Sequence, residues 1–408
     1  MGRMTERTHD VVIVGGGLVG ASLAIALEQL TGLDVALVEA SPPATMPAVF
    51  DQRNLSFAAA TLNALEALGV MQHLRAATGP IRRIHVSRQG DFGSVKLDAA
   101  DYGRDLFGRV VIARDFGEAL EARLTGLSRL TRYRPARFVG TAVSGDGLAR
   151  EVRLQTPEGE QSLRTRLLVA ADGTRSAVRD ALDIGVQEHD YRQTLFVCRL
   201  RAEKLPDGTA YERFTEHGPT ALLPRGDRHY GLVHGVAREE ADDIARLDDA
   251  AWLQRLQRTL GWRVGRLLEA GERSAYPMTR VVAETTVAAR AVLVGNAAQT
   301  IHPIGAQGFN LGLRDALILA ELIADAPDCG AEALLRRHVE RRTEDRARTL
   351  AFSDGLARLT ANPAPLLRPL RSLGLMAINA SGALQSFLVG GAMGYRGDVP
   401  ALCRGEAA

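Results

Sequence analysis

Gly15, Gly17 and Gly20 stand in the run V-V-I-V-G-G-G-L-V-G, and the carboxylate of Glu39 closes the apolar segment that follows. This spacing suits the binding of a dinucleotide. Gly15 allows a tight turn, Gly17 lets the backbone approach a pyrophosphate, and Gly20 lets a helix pack on the preceding strand. The helix N-terminus then faces the anion. Glu39 lies about 20 residues beyond the glycines, where a carboxylate accepts hydrogen bonds from a ribose 2′-OH and repels a 2′-phosphate. The spacing predicts a strand at Val11–Val14, a helix over Leu18–Leu30 and a second strand at Val35–Val38. Strand, turn, helix, strand and acid occur in order, which a ligand-free glycine turn does not require.

Two further segments carry similar potential. Leu167–Ala171 reads as a buried strand running into Asp172-Gly173, and V-L-V-G-N-A-A-Q-T-I-H-P-I-G-A-Q-G-F-N at 292–310 reads as strand, glycine-rich turn and helix start. Period-two patterns at Ile81–Ser87 and Ser94–Leu97, before these two segments, and strand-like runs through 184–276, between them, predict a sheet outside the nucleotide unit. The nucleotide elements are therefore split. The expected organisation is an α/β (α+β overall) chain. Residues 1–80, 111–183 and 277–330 form a Rossmann-like nucleotide domain, 81–110 and 184–276 an interleaved mixed-sheet substrate domain, and 331–408 a C-terminal helical region.

The bulk properties exclude several classes. With 408 residues, 46% apolar and 24% charged, the chain has the composition of a globular protein. A net charge of +2 leaves no nucleic-acid footprint. Cys198, Cys329 and Cys403 are far apart, so neither a disulfide scaffold nor a metal site is expected. Arg3 and Arg7 precede an apolar run, but Glu6 and Asp10 interrupt the charge pattern and the run contains the glycine turn, so a secretory signal is not the reading.

With these three ordered motifs the chain resembles the FAD-dependent aromatic hydroxylases of the p-hydroxybenzoate hydroxylase type. Y-E-R-F-T-E-H-G-P-T-A-L-L-P at 211–224, R-S-A-Y-P at 273–277, L-G-L-M at 373–376 and H-V-S-x-x-G-x-F-G at 85–93 narrow the resemblance to the ubiquinone-biosynthesis branch. The resemblance implies FAD as the bound dinucleotide. Gly15, Gly17, Gly20 and Glu39 would hold its ADP half, and Arg53 and Arg114 would approach the flavin or its phosphates. Asp172 and Gly173 match the Asp-Gly motif, Gly295 and Asn296 the ribityl-contacting pair, and Gly305, Gly308 and Asn310 the loop along the flavin ring. Gly305-Ala306-Gln307-Gly308 transposes the branch's usual A-G-Q-G, which would shift that loop.

The implied reaction is ring hydroxylation of a 2-polyprenyl-6-methoxyphenol with O2 through a flavin C4a-hydroperoxide, with electrons from NAD(P)H or a protein donor. Alternatives are another ring position, another phenol, or a non-catalytic subunit of a ubiquinone-biosynthesis complex. No acid–base triad is visible. His302 and Pro303 adjoin the ring loop, where His302 is either a polar group near the phenol or a satisfied histidine at a helix start. Tyr211, Phe214 and His217 are candidates for the substrate face or for sheet packing. Glu332–Arg348 reads as a solvated helix. Ser372–Tyr395 has no charged side chain. It reads as a buried helix on the catalytic body or, more sharply, as a peripheral membrane contact receiving a prenylated phenol. The implied location is cytoplasmic, with the inner membrane face as the place where such a substrate is met.

Overall fold

The computed structural model describes residues 7–43, 45, 51–362, 364 and 367–405; Arg3 and Glu6, weighed above, lie outside them. Among the described residues eight strands form one sheet. Its main path runs Val287–Ala288, Ala291–Leu293, Gly159–Ala170, Arg7–Val14, Val35–Val38, Leu130–Tyr133, and all neighbours after the first pair are parallel. The register sets Val14 opposite both Val38 and Ala170, and Ala170 opposite Leu293. Four strands thus end level, and the chain leaves each at the same edge.

Both faces of this sheet are covered, which explains why its strands are continuous apolar runs. Val11, Ile13 and Leu37 pack with Leu23 and Ile25 of helix Leu18–Leu30, Phe116 of helix Ala113–Thr125 and Leu317 of helix Gln307–Ala324. Val12, Val14, Leu168 and Leu293 pack on the opposite side with Phe138 and Leu154.

A second sheet has nine strands, with Val186–Ala202, Tyr230–Ala237, Gly218–Pro224, Thr209–Thr215 and Arg83–Arg88 as successive neighbours. One face packs on helix Asp249–Leu260 through Trp252, Leu256, Phe196 and Leu232. Strands Ser274–Ala283 and Gln299–Thr300 also belong to this sheet, so the boundary expected at 276/277 cuts through a strand. Gly108–Ile112 likewise crosses the boundary at 110/111, pairing with Asn54–Ala58 and Gly79–Ile81 in a sheet of three.

Helix Glu332–Ala361 departs from the solvated reading. His338, Arg342, Asp345, Thr349 and Ser353 are buried along one face. The charges are neutralised in place. Asp345 accepts from Arg314 at 2.8 Å and from Arg342 at 2.7 Å, and Arg342 also donates to Asp315 at 2.7 Å. Burial alone would raise the pKa of Asp345, but the Arg314 and Arg342 charges hold it below the usual carboxylate range.

The tail forms two helices, Leu367–Ala380 and Gly382–Ala392, bent by 90° at their junction. It is tied to hairpin 83–98. Arg371 binds Asp91 at 3.1 Å, Asp91 accepts from Arg88 at 3.3 Å, and the backbone N–H of Lys96 donates to Asn379 at 2.9 Å. The buried-helix reading of the tail is corrected on its outer side. Leu370, Leu373, Met376, Leu384 and Phe387 are exposed, because two short crossed helices cannot bury both of their faces.

Removing one partner of a buried ion cluster leaves the others uncompensated. Asp345→Ala should therefore cost about 3–5 kcal/mol at neutral pH in chemical denaturation. Because the folded-state pKa is lowered, this contribution is present above the unfolded carboxylate pKa and fades as pH falls through the folded value. The difference between Asp345→Ala and the parent protein should accordingly shrink in acid.

Candidate active site

The level strand ends place the three turns together around one cavity of about 1050 Å³. At one end Gly15, Gly17, Glu39, Arg53, Asp172, Gly173 and Asn296 line it, together with Pro303 and the loop Gly305–Asn310. The fit to a dinucleotide is steric as well as polar. Gly15 has φ +108°, and a Cβ there would lie 2.4 Å from the carbonyl oxygen of Ala171. A Cβ on Gly20 would lie 2.0 Å from the carbonyl oxygen of Gly15. Helix Leu18–Leu30 has no side-chain cap, and Gly17, Leu18 and Val19 line the cavity, so its N-terminus is open to an anion.

Glu39 accepts from the N–H of Gly16 at 2.9 Å and of Ser41 at 2.7 Å, which aims the carboxylate along the cradle. Arg53 reaches the wall while paired with Asp51 at 2.8 Å and stacked 4.6 Å from the centre of the Tyr276 ring. Burial raises the pKa of Asp172, although its carboxylate accepts from Ser176 at 2.5 Å and from the N–H of Val178 at 3.1 Å. It braces helix Ala177–Ala181 while bordering the cavity. Gly295 lies behind Asn296, packed against Val19 and Gly312.

Residues 305–310, which run into the first turn of helix Gln307–Ala324, are anchored by Asn310. Its Oδ1 accepts from the Ala58 N–H at 3.1 Å and the Thr61 hydroxyl at 2.7 Å, and its Nδ2 donates to Ser56 and Ala306 carbonyls at 3.0 and 2.8 Å. With every bond made, Asn310 positions the loop. The transposed Gly305-Ala306 pair keeps a left-handed turn, with φ +70° and +52°, and Ala306 carries the strain that glycine would avoid.

Four expected site residues lie elsewhere. Arg114 is 59% exposed, paired with Glu118, and outside the cavity wall. His302 is buried beneath the loop, bonded to Gln193 at 3.1 Å, and its carbonyl accepts from Ser353. Burial pushes its pKa down to about 4, so it is a neutral structural histidine. Tyr211 faces the Trp252 core and meets His85 edge-on, and His217 is paired with Glu216 away from the wall. Phe214 does line the cavity, packed with Ile304 and Ala357.

Alternation explains the split, because residues i and i+2 share a face. Ala210, Glu212 and Phe214 point one way and Tyr211 and Arg213 the other. The sequence reading missed Glu212, which the same rule applied to Phe214 finds. It also missed the far wall, built from Phe352 and Leu356 of the long helix and from Leu375, Ile378, Leu388 and Met393 of the tail. Of these, only Leu375 falls in a motif quoted above, L-G-L-M at 373–376, which the sequence reading does not place in the site.

A family model described as an FAD binding domain matches residues 8–353. The chain is 33% identical to ubiquinone hydroxylase UbiL of Rhodospirillum rubrum, over 95% of this chain and 90% of that one. It is 31% identical to 3-demethoxyubiquinol 3-hydroxylase of Escherichia coli, over 94% and 97% of the two chains. The chain belongs to the FAD-dependent hydroxylases of the ubiquinone branch. The fold is that of p-nitrophenol 4-monooxygenase PnpA of Pseudomonas putida, with a TM-score of 0.77 at 18% identity over 96% and 100% of the chains. The hydroxylase is thus a flavoprotein monooxygenase, and FAD is its cofactor.

Gly15→Ala tests the cradle directly. The added methyl must push Gly15 from Ala171 at a φ that alanine resists. The flavin-to-protein ratio after gel filtration should fall at least about tenfold, the loss expected when roughly 1.4 kcal/mol of binding is removed. Circular dichroism should report a retained fold.

Proposed function

We propose that this hydroxylase oxygenates the ring of a 2-polyprenyl-6-methoxyphenol, and that it collects this substrate at the inner face of the membrane. The observation that carries the reading is the continuity of the cavity. It begins at the nucleotide cradle and passes without a break between apolar walls from the nine-stranded sheet (Ile84, Val86, Leu97, Leu223) and the tail helices (Leu375, Ile378, Leu388, Val389). A phenol ring beside the flavin and an aliphatic chain along those walls would use both ends. The relatives described above are a ubiquinone hydroxylase and a 3-demethoxyubiquinol 3-hydroxylase, which supports a quinone precursor as the substrate class.

When bound, FAD supplies oxygen activation and transfer to the ring. The chain's own part is to bind, orient and keep dry. The Gly15–Gly20 turn and Glu39 would hold the adenosine half, Asn296 and the Gly305–Asn310 loop would border the ring system, and the apolar wall would exclude water. NAD(P)H as reductant accords with the family.

No single helix among the described residues is long and apolar enough to cross a membrane. The tail instead presents an apolar outer face, with Leu373 55% and Phe387 58% exposed, and Phe92 projects from the hairpin that holds it. The same two helices line the cavity inside, so the surface that would touch lipid is one wall thick from the site. This supports peripheral contact by side chains that enter the acyl boundary without spanning it.

Quinone-lipid profiling of cells lacking the protein tests the substrate. A prenylated methoxyphenol should accumulate, and normal quinone levels would reject the assignment. For the membrane contact, Leu373→Glu with Phe387→Glu should lower co-sedimentation with anionic liposomes at least about tenfold, since each change removes about 2 kcal/mol of apolar burial. Flavin content should be unaltered, and unchanged sedimentation would remove the tail from the contact.

A further inference from the structure

Glu212 is a carboxylate set into an apolar wall. It lies on strand Thr209–Thr215, with Val86 beside it on one neighbouring strand and Ala221 on the other. Both neighbours line the cavity, as do Ala210 and Phe214, two residues before and after it on the same face. Phe214 packs on Ile304, next to the loop expected along the flavin ring, while Ala210 belongs to the apolar cluster of Phe107, Val389 and Met393. Glu212 therefore stands between the oxygenating end and the aliphatic end, about 7 Å along the strand from the side chain that touches the loop.

Its isolation is the unusual feature. The other ionised side chains lining the cavity are Glu39, Arg53, Arg88, Asp91, Asp172 and Arg371. Each has a partner: backbone N–H groups for Glu39, Asp51 for Arg53, Ser176 and Val178 for Asp172, and one another for the remaining three. Glu212 has no hydrogen-bond or ion-pair partner among the described residues. It is half-buried and lines the cavity. Phe352, Leu356 and Leu359, contributed to the lining by the long helix, carry no charge, nor does any residue of the 303–308 loop. An unpaired buried carboxylate is costly unless something supplies a donor.

We propose that Glu212 is the substrate-positioning residue of the hydroxylase: its carboxylate accepts the hydrogen bond of the phenol's hydroxyl group and thereby fixes which ring carbons face the flavin. The assignment rests on the phenolic substrate class proposed above. A hydroxyl group is the donor that an aromatic ring with an aliphatic tail has to offer. The acceptor sits where that hydroxyl would lie if the tail ran toward Val389 and Met393. Burial pushes the carboxyl pKa up to about 7, so the group changes charge in the physiological range. Above that pH the ionised form accepts a charge-assisted bond, and below it the bond weakens. Preference for the hydroxyl group therefore grows as pH rises through about 7.

The test is equilibrium dialysis of the flavin-loaded enzyme with 2-methoxy-6-prenylphenol and with 3-prenylanisole, the same ring without the hydroxyl. The parent enzyme should bind the phenol about 10–100-fold more tightly at pH 8, as for a hydrogen bond to a charged group, and less selectively at pH 6. Glu212→Leu should abolish the preference while anisole affinity stays within about twofold, as expected where only the polar contact is lost. Glu212→Gln should keep a reduced preference that no longer varies with pH. If Glu212→Leu retains the preference, the assignment falls and the substrate class stands. If the parent enzyme takes up neither compound, both fall. Should Glu212→Leu lose the anisole as well, Glu212→Gln decides: a flat pH profile supports the assignment, and a persisting one overturns it.

Discussion

The Cβ that Gly15 lacks would stand 2.4 Å from the carbonyl oxygen of Ala171, and the one that Gly20 lacks would stand 2.0 Å from the carbonyl oxygen of Gly15. Two backbone turns, from residues 156 positions apart in sequence, touch with nothing between them. That contact exists because strands Arg7–Val14 and Gly159–Ala170 are parallel and end in register at Val14 and Ala170. Parallel strands need crossover connections, and ligands bind where such strands end. Here the crossovers carry whole sheets. Once the ends are level, Glu39, Asp172 and Asn296 have no freedom to be elsewhere.

The cavity that follows has two chemistries. At the strand ends its polar groups are tied to the protein before any ligand arrives: Glu39 to Gly16, Arg53 to Asp51, Asn310 to four partners. Such groups lose little further freedom when a cofactor binds. Farther in, the walls are side chains of Leu, Ile, Val and Phe. They recognise length and shape rather than donors and acceptors. A single unpaired carboxylate between the two regions gives a ring its orientation, which apolar contacts alone supply poorly.

Legibility in the sequence followed locality. The strand–turn–helix around Gly15–Gly20 and the second strand at Val35–Val38 were readable because spacing and glycine positions act over a few residues. Gly308 and Asn310, which the resemblance assigns to the ring loop, stand in the first turn of helix Gln307–Ala324, where Asn310 is held by tertiary bonds to Ser56, Ala58 and Thr61. Tyr211 and His217 are aromatic groups of the same segment, yet strand alternation sends Tyr211 away from the cavity and His217 stands in the turn after the strand, outside the cavity wall. Glu332–Arg348 read as solvated because charge was counted without its partners. Asp315 and Arg314, on another helix, neutralise Asp345 and Arg342. Arg114 followed from the resemblance, and its backbone N–H, rather than its guanidinium, is what the fold uses, donating to the Asp51 carbonyl at 3.0 Å.

The walls of the cavity differ in what holds them. The nucleotide side rests on a parallel sheet covered on both faces and on buried ion pairs behind helix Gln307–Ala324. The tail side rests on helices of 14 and 11 residues. Isolated helices of that length are marginal in water, so their order comes from packing. Their polar ties to the body are Arg371 to Asp91 and to the Asn362 carbonyl, Ser372 to the Phe92 N–H, Asn379 to Lys96, Gln385 to Tyr102 at 3.0 Å, and the Ala392 carbonyl to Gln307. Elements with few buried contacts open at lower free energy than the core around them. The tail is a wall of two short helices whose outer face is apolar. That outer face, with Leu370, Leu373 and Phe387 exposed, supports the proposed contact with a membrane on the side where the tail closes the cavity.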